Sequence, residues 1–86
     1  MRLSYSLGSL LTINQIIECS KKLNMLKPDT VWIPETWGME NFSMLSLACM
    51  ENKFSKIGSS IINIYSRSPS LIAMGAATVD TISNKR

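Results

Sequence analysis

Leu3, Tyr5 and Leu7 alternate with Ser4 and Ser6, so residues 2–7 read as a strand with the two-residue period of a pleated chain. Gly8-Ser9 interrupts that period, and Gly8 is read as turn geometry. From Thr12 the spacing changes. Ile13, Ile16, Ile17, Leu23 and Leu26 fall three and four apart, with Lys21 and Lys22 on the other face, which predicts an amphipathic helix over about 12–26. Thr12 is its N-cap and Gln15 its capping-box partner, and Pro28-Asp29 ends it. Thr30-Val31-Trp32-Ile33 is β-branched and aromatic, a short buried strand stopped by Pro34. Residues 34–41 carry no period and read as a loop. A second helix over 42–52 follows, capped by Asn41 and burying Phe42, Leu45, Ala48 and Cys49. Ile57, Ile61, Ile62 and Ile64 mark a third strand over 57–64. Ser68-Pro69 then opens a third helix through Leu71, Ile72, Ala76, Val79 and Ile82, which Asn84 can close.

The order is β-α-β-α-β-α, with strands beginning near residues 2, 30 and 57, a repeat of about 27–28 residues. That is the spacing of parallel βα units with right-handed crossovers. A complete (β/α)8 barrel takes about 250 residues, roughly 31 per unit. The fold class is therefore α/β, residues 1–86 forming the first three βα units of an incomplete (β/α)8 TIM barrel. Two open sheet edges and an uncovered face predict association with a second copy or with the missing units.

Composition narrows the chemistry. The 86 residues contain no histidine, which excludes His general acid/base work, Ser-His and Cys-His nucleophile pairs, and most zinc sites; no metal site is expected. Hydrophobic residues make up 45% of the chain and charged residues 17%, too apolar for a disordered tail. Residues 1–52 carry four Lys/Arg and five Asp/Glu, a net of −1; residues 53–86 carry five Lys/Arg and one acid, a net of +4. Those basic residues are dispersed and lack interleaved aromatics, so no nucleic-acid partner is expected. Cys19 and Cys49 show no metal-ligand spacing and read as small hydrophobes of a reduced, cytoplasmic protein. No run approaches the ~18 apolar residues of a membrane span, so no membrane partner is expected either.

In parallel α/β folds, chemistry gathers at the carboxyl ends of the strands. Here those are residues 8–11, 34–41 and 63–68. Neither a GxGxxG nor a P-loop pattern is present. Glu35 stands just past a strand end, where a carboxylate can take a proton or hold a polar ring edge, and the indole of Trp37 can stack on a planar group. The alternative is an exposed acid and a Trp packed on its own loop. Small residues at Ser59-Ser60 permit close backbone approach to a ligand. Arg67, beside a helix N-terminus, makes an anion site or else is a solvated or ion-paired arginine.

Residues 57–69 (Ile-Gly-Ser-Ser-Ile-Ile-Asn-Ile-Tyr-Ser-Arg-Ser-Pro), with Ala73-Met74-Gly75-Ala76-Ala77-Thr78-Val79-Asp80 and Ser83-Asn84-Lys85-Arg86, resemble the bacterial luciferase-like monooxygenase superfamily. Within it they are most similar to the deazaflavin-dependent branch that includes methylene-tetrahydromethanopterin reductases. Val31-Trp32-Ile33, followed by an acid two positions later, also resembles that branch's second strand. Ile64 stands where Pro is usual, Glu35-Thr36 where Asp-His is common, Lys85 where Gly precedes Arg86, and Ser6 where Glu is frequent. The resemblance implies the N-terminal piece of an oxidoreductase that binds deazaflavin coenzyme F-420, or alternatively FMN, with a small-molecule substrate. It implies hydride transfer or flavin-based oxygenation by the full-length enzyme, and no turnover by three units alone. It places Ser60, Ile61 and Asn63 on the strand backing the ring, with a strained non-prolyl cis peptide near Ser60-Ile61. Glu35 becomes a polar contact near ring or substrate, and Arg67 an anion contact. The rival reading is a non-catalytic association module or a decayed gene piece.

Overall fold

The computed structural model describes residues 2–8, 10–35 and 39–86. The elements run β1 (Ser4–Ser6), α1 (Ile13–Leu26), β2 (Thr30–Pro34), α2 (Asn41–Glu51), β3 (Lys56–Ile61) and α3 (Pro69–Ile82). The three strands form one parallel sheet in the order β1-β2-β3, with Tyr5 opposite Val31 and Val31 opposite Ile57. Consecutive helices touch, α1 on α2 and α2 on α3, as right-handed crossovers on one side of a sheet require. The α/β reading as three barrel units is thus the observed architecture.

The core lies between sheet and helices. Val31 and Ile33 on β2 are fully buried there with Ile16, Leu23, Met44, Leu45, Ala48 and Val79. Trp32, between them in sequence, points to the opposite face and stays 38% exposed. Its ring covers Gly58, where an added Cβ would lie 2.5 Å from Cζ3. Glycine at 58 is therefore a space requirement.

Thr12 caps α1 and forms the capping box with Gln15: the Gln15 N–H donates to Thr12 Oγ1 (3.2 Å) and the Thr12 N–H to Gln15 Oε1 (2.9 Å). Ser68 caps α3 with Pro69 in its first turn. At α2 the expected cap is corrected. Glu40 is the N-cap, taking the Phe42 and Ser43 N–H groups, because the Asn41 side chain is already committed to the Ile33 carbonyl (2.9 Å). Phe42 is half-buried while Met44 is buried. The third strand stops at Ile61, not Ile64, and Ile64 is 61% exposed. Of the predicted α3 stripe only Val79 is buried.

Gly8 makes a turn in which the Leu11 N–H meets the Gly8 carbonyl (3.4 Å), at ordinary negative φ. The left-handed residues are instead Lys27 (φ 48°), Asn84 (φ 58°) and Lys85 (φ 65°). Asn84 and Lys85 close α3, with the Lys85 N–H on the Asp80 carbonyl (2.7 Å). The chain then returns to the sheet, where the Arg86 carbonyl accepts from Ile57 N–H (3.3 Å) on the outer edge of β3.

Candidate functional site

Four of the five residues singled out at the strand ends meet in one hydrogen-bonded group, and the fifth adjoins it. Glu35 leaves β2 with its N–H donating to the Ile61 carbonyl at the end of β3 (2.8 Å). Its side chain is buried and both carboxylate oxygens are saturated. Oε1 accepts from the Asn63 N–H (3.0 Å) and from Arg67 Nη1 (2.6 Å). Oε2 accepts from the Asn41 N–H (2.8 Å) and from Arg67 Nη2. Arg67 also donates to the Asn63 carbonyl (3.1 Å) and to Glu40 Oε2 (3.0 Å), and its guanidinium lies 5.6 Å from the centre of the Phe42 ring.

Electrostatics follow from this geometry. The Glu35 and Arg67 side chains are each 9% exposed, and each stabilises the charged form of the other. The Arg67 hydrogen bond outweighs burial and, with the amides of Asn63 and Asn41, holds the Glu35 carboxyl at about 2. Chiefly through the hydrogen bonds it donates to Glu35, Arg67 is raised above its ordinary value. Two carboxylates against one guanidinium leave the group at a formal −1. Arg67 has five N–H donors, of which four are engaged here.

Ser60 is the extra residue of a β-bulge. Ile33 pairs with Ser59 and Pro34 with Ile61, so Ser60 has no partner across the ladder. The bulge carries Ile61 over to the face of Trp32 and Pro34, where it is 52% exposed. No peptide bond among the described residues is cis, which corrects the expected cis bond near Ser60-Ile61; the irregularity there is the bulge. Trp37, expected to stack on a planar group, lies outside the described residues.

Sequence reasoning missed two contributors to this group and one anchor at the opposite end of the sheet. Glu40 was taken for a loop residue, yet its place one position before a helix start could have identified a capping acid. Asn41 is fully buried, tying α2 to β2 through Ile33. Arg86 donates to the carbonyls of Cys49 (2.9 Å), Asn52 (2.8 Å), Ser55 (3.1 Å) and Ser83 (2.6 Å), contacts that the resemblance at residues 83–86 did not reveal.

Other chemistry is absent from the described residues. They hold no group of His, Cys, Asp and Glu able to bind a metal. Both cysteines are free, and burial pushes the Cys49 thiol up, away from thiolate chemistry. No described helix is long and apolar enough to cross a membrane. A cleft of about 250 Å³ opens between α2, β3 and α3 with Leu45, Ile57, Ala76 and Val79 on its walls, but none of the five strand-end residues lines it.

A flavin-type ring fits the bare face beside the bulge on two observations. Ile61 is turned outward there as an apolar surface, and the small, exposed Ser60 leaves the backbone beside it accessible. A comparison with curated proteins finds no match. The family model of luciferase-like monooxygenases matches residues 2–86, nearly the whole chain, and the chain belongs to that family.

Proposed function

We propose that the carboxyl-terminal rim of this sheet holds the ring of a flavin-type cofactor, deazaflavin coenzyme F-420 in preference to FMN, in an oxidoreductase acting on a small molecule. Luciferase-like proteins generally use one of these two cofactors. The bound ring supplies hydride transfer or oxygen chemistry, and the protein supplies position. Ser60 and Ile61 back the ring and Asn63 offers it a polar contact. The preference for F-420 rests on the pattern of residues 57–69. The observation that carries the reading is the bulge at Ser60, fixed at its far side by Glu35 through Ile61 and Asn63. Three strand ends do not complete such a site, because reactions on this fold draw residues from several others. The 86 residues alone are expected to bind a ring without turning it over.

Fluorescence titration of the chain with F-420 and with FMN tests this. Ser60→Leu should weaken binding at least tenfold, about 1.4 kcal/mol, by filling the approach to the backbone. Ser60→Ala keeps the small volume and should bind as the parent does. Equal affinities for the two variants would overturn the assignment, and tighter binding of FMN would overturn the preference for F-420.

A second reading rests on a different observation. Every residue of β1 is exposed, and Leu3 just before it and Tyr5 within it are 63% and 44% exposed. An unpaired, apolar-flanked edge is a template for another chain. We propose that the chain self-associates through it; a single monomeric species by sedimentation across the micromolar range would exclude this.

A further inference from the structure

We infer that Glu35 and Arg67 are positioning residues for Asn63, whose side-chain amide is the donor presented to a ligand at this rim. The inference rests on the cofactor reading above and assigns roles within it. Glu35 has no acceptor capacity to spare, since each oxygen already takes two N–H groups. The guanidinium of Arg67 faces two carboxylates and a carbonyl, so an incoming anion would meet a group of net negative charge. Glu35 is thus not free to serve a ligand, and Arg67 keeps only its Nε–H, within a group of net negative charge.

What they hold is specific. Asn63 is fixed at three points: its N–H by Glu35, its carbonyl by Arg67, and its Oδ1 by the Tyr65 N–H (2.9 Å). A backbone N–H can only donate, so the atom facing Tyr65 is the oxygen and the remaining amide atom is Nδ2. Nδ2 makes no hydrogen bond among the described residues. Fixing a donor in advance lowers the ordering cost of binding. Glu35 also fixes the other side of Ile62, where its backbone N–H meets the Ile61 carbonyl. Glu35 thus holds the bulge through its backbone N–H and the donor through its carboxylate.

The test combines amide hydrogen exchange with titration of FMN and F-420 on the same samples. Arg67→Lys keeps the charge and loses the planar fork. It should speed exchange of the Asn41 and Asn63 amides at least tenfold while leaving those of Val31 and Ile33 unchanged. It should also weaken ring binding about tenfold. Asn63→Ala should weaken binding equally without speeding exchange at Asn41, and adding Arg67→Lys to it should cost nothing more. Should Arg67→Lys fail to fold, Glu40→Gln removes the outer charge together with one capping acceptor of α2, and should raise exchange at Asn63 about threefold while Val31 and Ile33 stay unchanged. Uniform acceleration across all four amides would overturn the inference, because the pair would then be a general brace. An undiminished Arg67→Lys effect in the Asn63→Ala background would also overturn it. If neither ring binds the parent chain, the cofactor reading fails; selective exchange at Asn41 and Asn63 would still establish the pair as the rim's positioning device.

Discussion

Two arginines sit at opposite ends of this sheet and are satisfied in opposite ways. Arg67, at the carboxyl ends of the strands, is held by two carboxylates and one carbonyl. Arg86, at the other end, meets four backbone carbonyls and no acid. Two of those carbonyls belong to Cys49 and Asn52 at the end of α2, where unpaired carbonyls and the helix dipole favour a cation. The first arrangement joins two loops and depends on ionisation of its partners. The second is a cap built from groups that do not titrate. In βα folds the carboxyl rim generally carries chemistry and the opposite rim stability; Arg67 lies at the first and Arg86 at the second.

The largest expected effect falls on the charged pair. Arg67→Ala strips the guanidinium from the Glu35 carboxylate and leaves it only the Asn41 and Asn63 N–H groups, so it should be the most destabilising of these substitutions. Urea unfolding measures it; a loss under about 1 kcal/mol would mean that water reaches Glu35.

Arg86→Ala should cost less, about 2–3 kcal/mol, because the carbonyls it leaves carry no net charge and are partly recovered by water. If its urea midpoint falls below that of Arg67→Ala, the contrast between the two ends is reversed.

Acid separates the two ends without mutation. The Glu35 carboxyl is held at about 2, below its ordinary 4.5, so its contribution is complete above about 4.5 and is lost as pH falls toward 2. Protection of the Asn41 and Asn63 amides should decline through that window, while that of Asn52 N–H, on the Ala48 carbonyl (2.8 Å), persists. Simultaneous loss at both ends would show one cooperative unit.

Much of the framework was legible in the sequence. Strand and helix order followed from the change of period at Thr12, and the caps at Thr12 and Ser68 from local hydroxyl chemistry. Glu35 and Arg67 could be named because each stands just past a strand end. That they bind each other could not be read, since 32 positions separate them and only the parallel register of β2 and β3 brings them together. Asn41 was misassigned for a related reason: its contact with Ile33 is tertiary and displaced the local capping role. The bulge at Ser60 leaves no trace in hydropathy, because Ser59 and Ser60 are the same residue type on either side of the slip.

The smallest effect concerns the turn that delivers Arg86. Lys85 holds φ 65°, a conformation that costs a side chain and suits glycine. Lys85→Gly should stabilise the chain by about 0.5–1 kcal/mol in the same urea experiment, and a destabilised variant would mean that the Lys85 side chain supports the turn.

The contact between Arg86 and Ile57 has a consequence for synthesis. Units of this kind form from the amino terminus as the chain emerges, each βα pair packing on its predecessor. β3 does not gain its outer hydrogen bond, nor α2 its terminal cation, until residue 86 has left the ribosome. Up to that moment the nascent chain exposes the carbonyls of Cys49, Asn52 and Ser55 and the free N–H of Ile57. A pause in translation before residue 86 would lengthen the interval in which chaperones or neighbouring chains can reach that edge.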